Sequence, residues 1–190
     1  MGRGKWTSHL HRAKGEHEVV VALPHMSLDV SYLEANELLY TQNTFSFRGA
    51  RGITRLCQSL PHAHWQLVRH VHISTLFRTP MKRYLECDQM PENYNSWRHA
   101  CAVLQTLTHL HSLEIGMVIW NQLRHHDSTP ADHDSLLAIF GALMDIKAVK
   151  FEIELNIELP TSVKAVLGTT PFTITIHERS FDWETFLLRF

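Results

Sequence analysis

The sequence predicts an α/β fold with about five short, mainly parallel strands and helices on one side. Three segments share one spacing of apolar residues. In each segment the apolar residues lie at positions i, i+3, i+6 and i+8. Steps of three suit the end of a helix and its turn, and the final step of two suits a half-buried strand. The three sets are Trp65, Val68, Val71 and Ile73; Leu107, Leu110, Leu113 and Ile115; and Leu143, Ile146, Val149 and Phe151.

A segment with helical spacing of apolar residues precedes each of these strands. Asn95 or Ser96 is a candidate N-cap for the second helix, because both side chains can accept free backbone N–H groups. Asp132, Asp134 and Ser135 can do the same for the third helix. The apolar sets are Ile53, Leu56, Cys57 and Leu60; Trp97, Cys101, Leu104 and Leu107; and Leu136, Leu137, Phe140, Leu143 and Met144.

Two more strands are expected on either side of this series, at residues 44–47 and 172–177. A short helix over 161–167 precedes the last strand, and Gly168 suits a helix end. Residues 181–190 have the pattern of a final amphipathic helix that covers the open end. Helical crossovers imply parallel neighbouring strands, so the whole is an irregular, leucine-rich-repeat-like stack. A compact α/β domain with the same elements is the alternative.

The composition favours one folded domain over residues 19–190, with a flexible N-terminal arm over residues 1–18. Of the 190 residues, 44% are hydrophobic and 19% are charged, which is ordinary for a globular protein. A net charge of −1 gives no reason to expect a nucleic-acid partner. No apolar run is long enough for a membrane span. Three cysteines without a C-x-x-C pair favour a reducing location, the cytoplasm or the nucleus.

Residues 27–160 carry three blocks that resemble a known family, of which the first, ELLYTQNTFSF, is the most specific. The matching residues are Glu34, Leu38, Leu39, Tyr40, Asn43, Thr44, Phe45 and Phe47; then Leu60, Pro61 and residues 68–73; then Trp97, Cys101, Leu107, Leu110, Leu113 and Ile115. The chain resembles a fungal domain of unknown function with the motif E-x-x-x-L-L-Y-x-x-N-T-F-x-F. Such domains are similar to the leucine-rich-repeat-like, substrate-binding halves of F-box-type proteins, and the resemblance implies no catalytic residues.

Fifteen histidines make metal binding worth testing, but no spacing matches an established zinc motif such as H-E-x-x-H. Residues 125–134, HHDSTPADHD, hold three histidines and three aspartates. His70 and His72 share one strand face, and the simpler interpretation makes them its solvent side. The sequence contains no G-x-S-x-G and no glycine-rich phosphate loop. We therefore expect no metal, no cofactor and no catalytic residue.

The outward strand positions form a grid of polar side chains if the strands stack in chain order. We expect a protein partner to bind there, with the contacts made by His70, His72, Glu114, Lys150 and Glu152. The grid also contains Thr44, Ser46, Ser112, Thr173 and Thr175. An ordinary solvated sheet face is the alternative, as is typical of the alternating carboxylates in FEIELNIE.

The sequence supports three hypotheses about function. The first is a non-catalytic protein-interaction domain that binds through the exposed sheet face. The second, implied by the family resemblance and by Leu23-Pro24, is a ubiquitin-ligase substrate adaptor with a degenerate F-box, because LPHMSLDVSYLEAN is too short for a complete one. The third is a small metal-dependent enzyme that uses the histidines.

Overall fold

A computed structural model describes residues 19–21, 32–81, 92–121 and 132–177 of the chain. Within these ranges the chain forms six strands and six helices. Their order is β1 (Val19–Val21), α1 (Tyr32–Gln42), β2 (Thr44–Arg48), α2 (Ala50–Ser59), α3 (His62–Trp65), β3 (His70–Thr79), α4 (Tyr94–Gln105), β4 (Ser112–Asn121), α5 (His133–Gly141), β5 (Lys150–Leu155), α6 (Thr161–Leu167) and β6 (Thr173–Ile176). The expected arm at 1–18 and the expected helix at 181–190 lie outside the described residues.

The strands form one sheet whose spatial order, β1-β2-β3-β4-β5-β6, repeats the chain order. Strands β2 to β6 are parallel, which confirms the predicted α/β fold with five parallel strands. Strand β1 was not predicted, and it pairs antiparallel with β2 at the edge. Strands β3 and β4 are longer than expected, with ten residues each.

Two of the helices begin at an N-cap residue whose side-chain oxygen accepts hydrogen bonds from the first turn. Asn93 caps α4, accepting hydrogen bonds from the backbone N–H groups of Asn95 and Ser96 at 2.9 and 3.1 Å. The prediction that Asn95 or Ser96 is the cap was therefore wrong, because both already supply N–H groups of the first turn. Asp132 caps α5 through the N–H of Ser135 at 3.3 Å, as the sequence predicts.

The hydrophobic core lies between the sheet and the helices, and alternate strand residues point into it. Val71 and Ile73 of β3 are buried, whereas His70 and His72, which alternate with them, are only half-buried. Aromatic side chains join the two layers; the ring of Trp97 on α4 meets that of Phe77 on β3 edge-on at 5.3 Å. At this end of β3 the two faces of the sheet therefore differ, one packed in the core and the other lined by polar side chains.

The spacing rule fails in the third segment. Val149 was placed on a core position, but its side chain is 80% exposed. In the sheet Phe151 pairs with Leu113, and Ile153 pairs with Ile115. The connection between α5 and β5 is longer than the connections that precede β3 and β4. Phe151 therefore takes the place beside Leu113 that the shared apolar spacing assigned to Val149, two residues earlier. Residues 142–149 accommodate this difference as turn and loop.

None of the helices in the described ranges has the length and apolar composition needed to cross a bilayer. Cys101 is buried on α4, and Cys57 on α2 is half-buried. Burial raises the pKa of both thiols, for Cys101 with a further contribution from Glu92. Because the thiolate is the reactive form, these two cysteines act as small apolar side chains, as their helical positions predict.

A candidate binding surface on the open face of the sheet

The outer face of the sheet, defined as the strand side chains that point away from the helices, is built from rows that cross the strands. Neighbouring strands lie about 4.8 Å apart, so residues in register are direct neighbours. The first row is Thr44, His70, Ser112 and Lys150; the second is Ser46, His72, Glu114, Glu152 and Thr173; the third is Arg48, Ser74, Gly116, Glu154 and Thr175. The five residues predicted to bind a partner lie together in the first two rows.

Lys150 links the first row to the second. Its Nζ lies 3.2 Å from Glu114 Oε1 and 2.9 Å from Glu152 Oε2, and these hydrogen bonds, that to Glu152 most, raise the pKa of Lys150. All three side chains are about half exposed, so these pairs add little to stability. Lys150 uses one oxygen of each carboxylate, which leaves the other oxygen available to a ligand.

His70 lies in the first row between Thr44 and Ser112. Its Nδ1 lies 2.9 Å from the hydroxyl oxygen of Ser112, and its ring meets that of His111 at 5.4 Å. Partial burial, with the nearby charges of His111 and Arg69, lowers the pKa of His70. The imidazole is therefore held neutral near pH 7, where it contributes hydrogen bonds rather than charge.

A cavity of about 210 Å³ opens beside the second row, and Gly116 is among the residues that line it. Because Gly116 has no side chain, the third row is open between Ser74 and Glu154. A Cβ atom at Gly116 would lie 3.9 Å from the carbonyl oxygen of Ile73 and 4.0 Å from Ser74 Oγ. The residues lining the cavity are His72, Glu114, Ile115, Gly116, Glu152, Ile153, Glu154, Thr175 and His177.

Ser74 adds an unusual feature beside this cavity. The residue is only 3% exposed, and in the described part of the chain its Oγ has no hydrogen-bond partner. Buried hydroxyl groups almost always have a partner, because leaving one unpaired costs about 1–3 kcal/mol. Ser74 Oγ lies next to the position that a side chain at Gly116 would fill. Ser74 does not line the cavity itself, but its unpaired hydroxyl adjoins the open position at Gly116, which does.

A model of one protein family matches residues 6–168 of the chain, which is most of its length. That family is the domain of unknown function DUF7730. The chain belongs to the DUF7730 family. This agrees with the expected membership of a family without an assigned role. No curated protein and no solved structure matches the chain.

The DUF7730 match covers the strands up to β5 and all residues of the cavity except Thr175 and His177. Among the residues that the structure describes, no three His, Cys, Asp or Glu side chains converge closely enough to hold a metal ion. His133 instead lies 3.3 Å from the hydroxyl of Ser162. His125, His126 and Asp127, named above as candidates, lie outside the described residues.

Sequence reasoning missed the cavity and with it Ser74, Gly116 and His177. One signal was present, since a glycine inside the strand pattern SLEIGMVIW often marks a close approach or an open space. The unpaired hydroxyl of Ser74 has no signature in the sequence, because it depends on what its neighbours leave unbonded.

Proposed function

We propose that this DUF7730 chain is a non-catalytic protein-interaction domain that binds its partner through the outer face of the sheet. The observation that carries the proposal is the row of His72, Glu114 and Glu152 on three adjacent parallel strands. These side chains line one cavity and offer both hydrogen-bonding groups and charge. Nothing in the row resembles a nucleophile with its base, so binding fits the arrangement better than chemistry.

A sheet face suits binding because its side chains are mounted on rigid backbone. Ile73, Ile115 and Ile153 anchor the three strands in the core directly beside the row. Less conformational entropy is lost when a partner meets groups that are already ordered. Open sheet faces serve as binding surfaces in solenoid proteins, and we propose that this chain is leucine-rich-repeat-like and uses its sheet in the same way.

Affinity purification of a tagged chain from its native host, followed by mass spectrometry, tests the proposal. The test variant replaces His72, Glu114 and Glu152 together by alanine. The matched control replaces three exposed helix residues, Arg55 of α2 with His99 and Gln105 of α4. We expect the outer-face variant to lose specific partners that the unchanged chain and the helix control both retain.

Retention of every specific partner by the outer-face variant would overturn the proposal. Loss of the same partners by both triple variants would also count against it, since binding would then not be localised to the outer face. Equal thermal unfolding temperatures of the three proteins are needed as a control, and none of the six replaced residues is buried.

The resemblance to a fungal domain family that is similar to the substrate-binding halves of F-box-type proteins supports an alternative proposal, a ubiquitin-ligase substrate adaptor with a degenerate F-box in the cytoplasm or the nucleus. The affinity purification described above also tests this alternative. Recovery of the ligase's linker subunit, together with loss of other partners from the outer-face variant, would identify those partners as candidate substrates. The metal-dependent enzyme is tested by metal analysis of protein purified without chelators.

A further inference from the structure

We infer that the cavity at Gly116 binds the guanidinium group of an arginine from a basic segment of the partner protein. The inference rests on the proposed function and names the chemistry of the partner. Three carboxylates, those of Glu114, Glu152 and Glu154, line a space of about 210 Å³. A cation is the group that such a lining stabilises best, since each hydrogen bond to it is charge-assisted.

The position of Lys150 shows how an added cation would be accommodated. Lys150 lies in the first row and bonds one oxygen of Glu114 and one of Glu152. The cavity lies on the opposite side of these two carboxylates, at the third row, and Lys150 is not part of its lining. A ligand can therefore take the second oxygen of each carboxylate without displacing Lys150.

The unpaired hydroxyl of Ser74 gives an independent reason to place a polar ligand here. Ser74 Oγ is buried, lacks a partner in the described ranges, and lies beside the empty position at Gly116. A group that enters the cavity and donates to this oxygen would remove the cost of leaving it unpaired. The carboxylates and the hydroxyl all accept hydrogen bonds, so the ligand has to be a donor with several N–H groups.

Arginine fits this requirement better than lysine. Guanidinium carries five N–H donors in a planar fork, enough to bond both Glu114 and Glu152 and to leave donors for a third acceptor. An ammonium group offers three donors around one point and is more strongly hydrated. The two carboxylates project from adjacent strands whose backbones lie about 4.8 Å apart, so a flat fork can bond to both.

Nuclear magnetic resonance of the full ¹⁵N-labelled chain tests the inference. The probe is the peptide Gly-Ser-Arg-Gly-Ser amide, and the matched control carries citrulline in place of arginine, which keeps the shape and removes the charge. We expect saturable shifts of the backbone amides of Ser74, Gly116 and Glu114 with the arginine peptide. The citrulline peptide should bind about tenfold more weakly or worse, because its hydrogen bonds are not charge-assisted.

Gly116→Val provides a variant that fills the cavity. Space exists for the new Cβ, since its nearest neighbours would lie 3.9 and 4.0 Å away, and valine suits a strand. Arginine-peptide shifts should disappear in this variant. Glu152→Gln is the second variant, and we expect it to weaken binding of the arginine peptide about tenfold. This variant still tests the inference if Gly116→Val does not fold.

Equal binding of the citrulline peptide, shifts centred away from Gly116, or unchanged binding by both variants would each overturn the inference. Failure of the inference and failure of the proposed function are distinguishable by affinity purification of Gly116→Val. If the outer-face triple variant loses partners that Gly116→Val keeps, the interaction proposal stands and the arginine site is refuted. If both variants keep every partner, the interaction proposal and the arginine site are both refuted.

Discussion

The carboxylate of Glu92 accepts a hydrogen bond from the backbone N–H of Ala50 at 2.8 Å, across 42 residues of chain. The same oxygen accepts from the hydroxyl of Thr75 at 3.0 Å. Glu92 thus binds the first turn of α2 to strand β3, at the end of the sheet where α4 begins. Gly49 leaves room for it, since a Cβ there would lie 2.7 Å from the carboxylate.

Glu92→Gln should change how stability depends on pH. Burial raises the pKa of Glu92 despite its hydrogen bonds, because the ionised form is poorly solvated at 5% exposure. A raised folded-state pKa means that the stabilisation is complete below the unfolded pKa, near 4.3, and is lost as the pH rises through the folded value. The free energy of unfolding of the variant, minus that of the unchanged protein, should therefore increase from pH 4 to pH 7.

Urea unfolding at several pH values measures this difference, which should grow by about 1.4 kcal/mol for each unit of pKa shift. Glu37→Gln on α1 serves as the control, because it removes one negative charge from an exposed position. A difference that falls as the pH rises would show that the hydrogen bonds from Ala50 and Thr75 outweigh the cost of burial.

Trp97→Phe should destabilise the protein more than Trp65→Phe does. Both indoles are buried and both donate a hydrogen bond at 3.0 Å, Trp97 to the carbonyl of Ile139 and Trp65 to the hydroxyl of Thr106. Thr106 is exposed, so water can replace the lost donor there. The bond to Ile139 is buried, and its loss should cost about 1 kcal/mol more. Chemical unfolding of the two variants gives the comparison, and equal costs would contradict the expectation.

Gly168→Ala and Gly141→Ala should have opposite effects on stability. Gly168 ends α6 with φ of 62°, and nothing lies within 4 Å of a Cβ built there. The cost of alanine at this position is therefore conformational, about 1–3 kcal/mol. Gly141 closes α5 in equally open space without a positive φ, so alanine should stabilise by about 0.5–1 kcal/mol. Thermal unfolding of both variants checks the signs, and a loss of stability in both would refute the argument.

The order of helices and parallel strands could be predicted from the sequence because burial imposes a period. Val71 and Ile73 alternate with His70 and His72 as a half-buried strand requires, and the structure confirms this alternation. Asp132, one of the candidate caps of α5, and Gly168 at the end of α6 could also be predicted, because capping depends on the residue itself and its neighbours in the chain.

The features that the sequence did not reveal depend on residues distant from one another in the chain. The exposed position of Val149 follows from the length of the turn after α5, which apolar spacing does not encode. Strand β1 has three residues and exists through its pairing with β2, so its own sequence carries a weak signal. The cavity arises where Gly116 lies between Ser74 and Glu154, on strands that are in register only in the folded sheet.

His70 should titrate with a midpoint below 6.5, the usual value for histidine. Desolvation lowers its pKa most, and the neighbouring His111 and Arg69 lower it further, against a smaller opposite effect of Glu114. A lowered folded-state pKa means that this contribution to stability is present above pH 6.5 and is lost as the pH falls. Proton–nitrogen correlation spectra of the histidine rings measure the midpoint directly.

His111→Gln provides the test of the stated cause. His111 is exposed, so its replacement removes a charge beside His70 without opening the core. We expect the midpoint of His70 to rise in this variant but to stay below 6.5, because desolvation remains. Ser112→Ala is the control, since it removes the hydrogen bond at 2.9 Å and leaves His111 in place. A midpoint above 6.5 in the unchanged protein would mean that Glu114 dominates, and His70 would then be protonated more readily than an ordinary histidine.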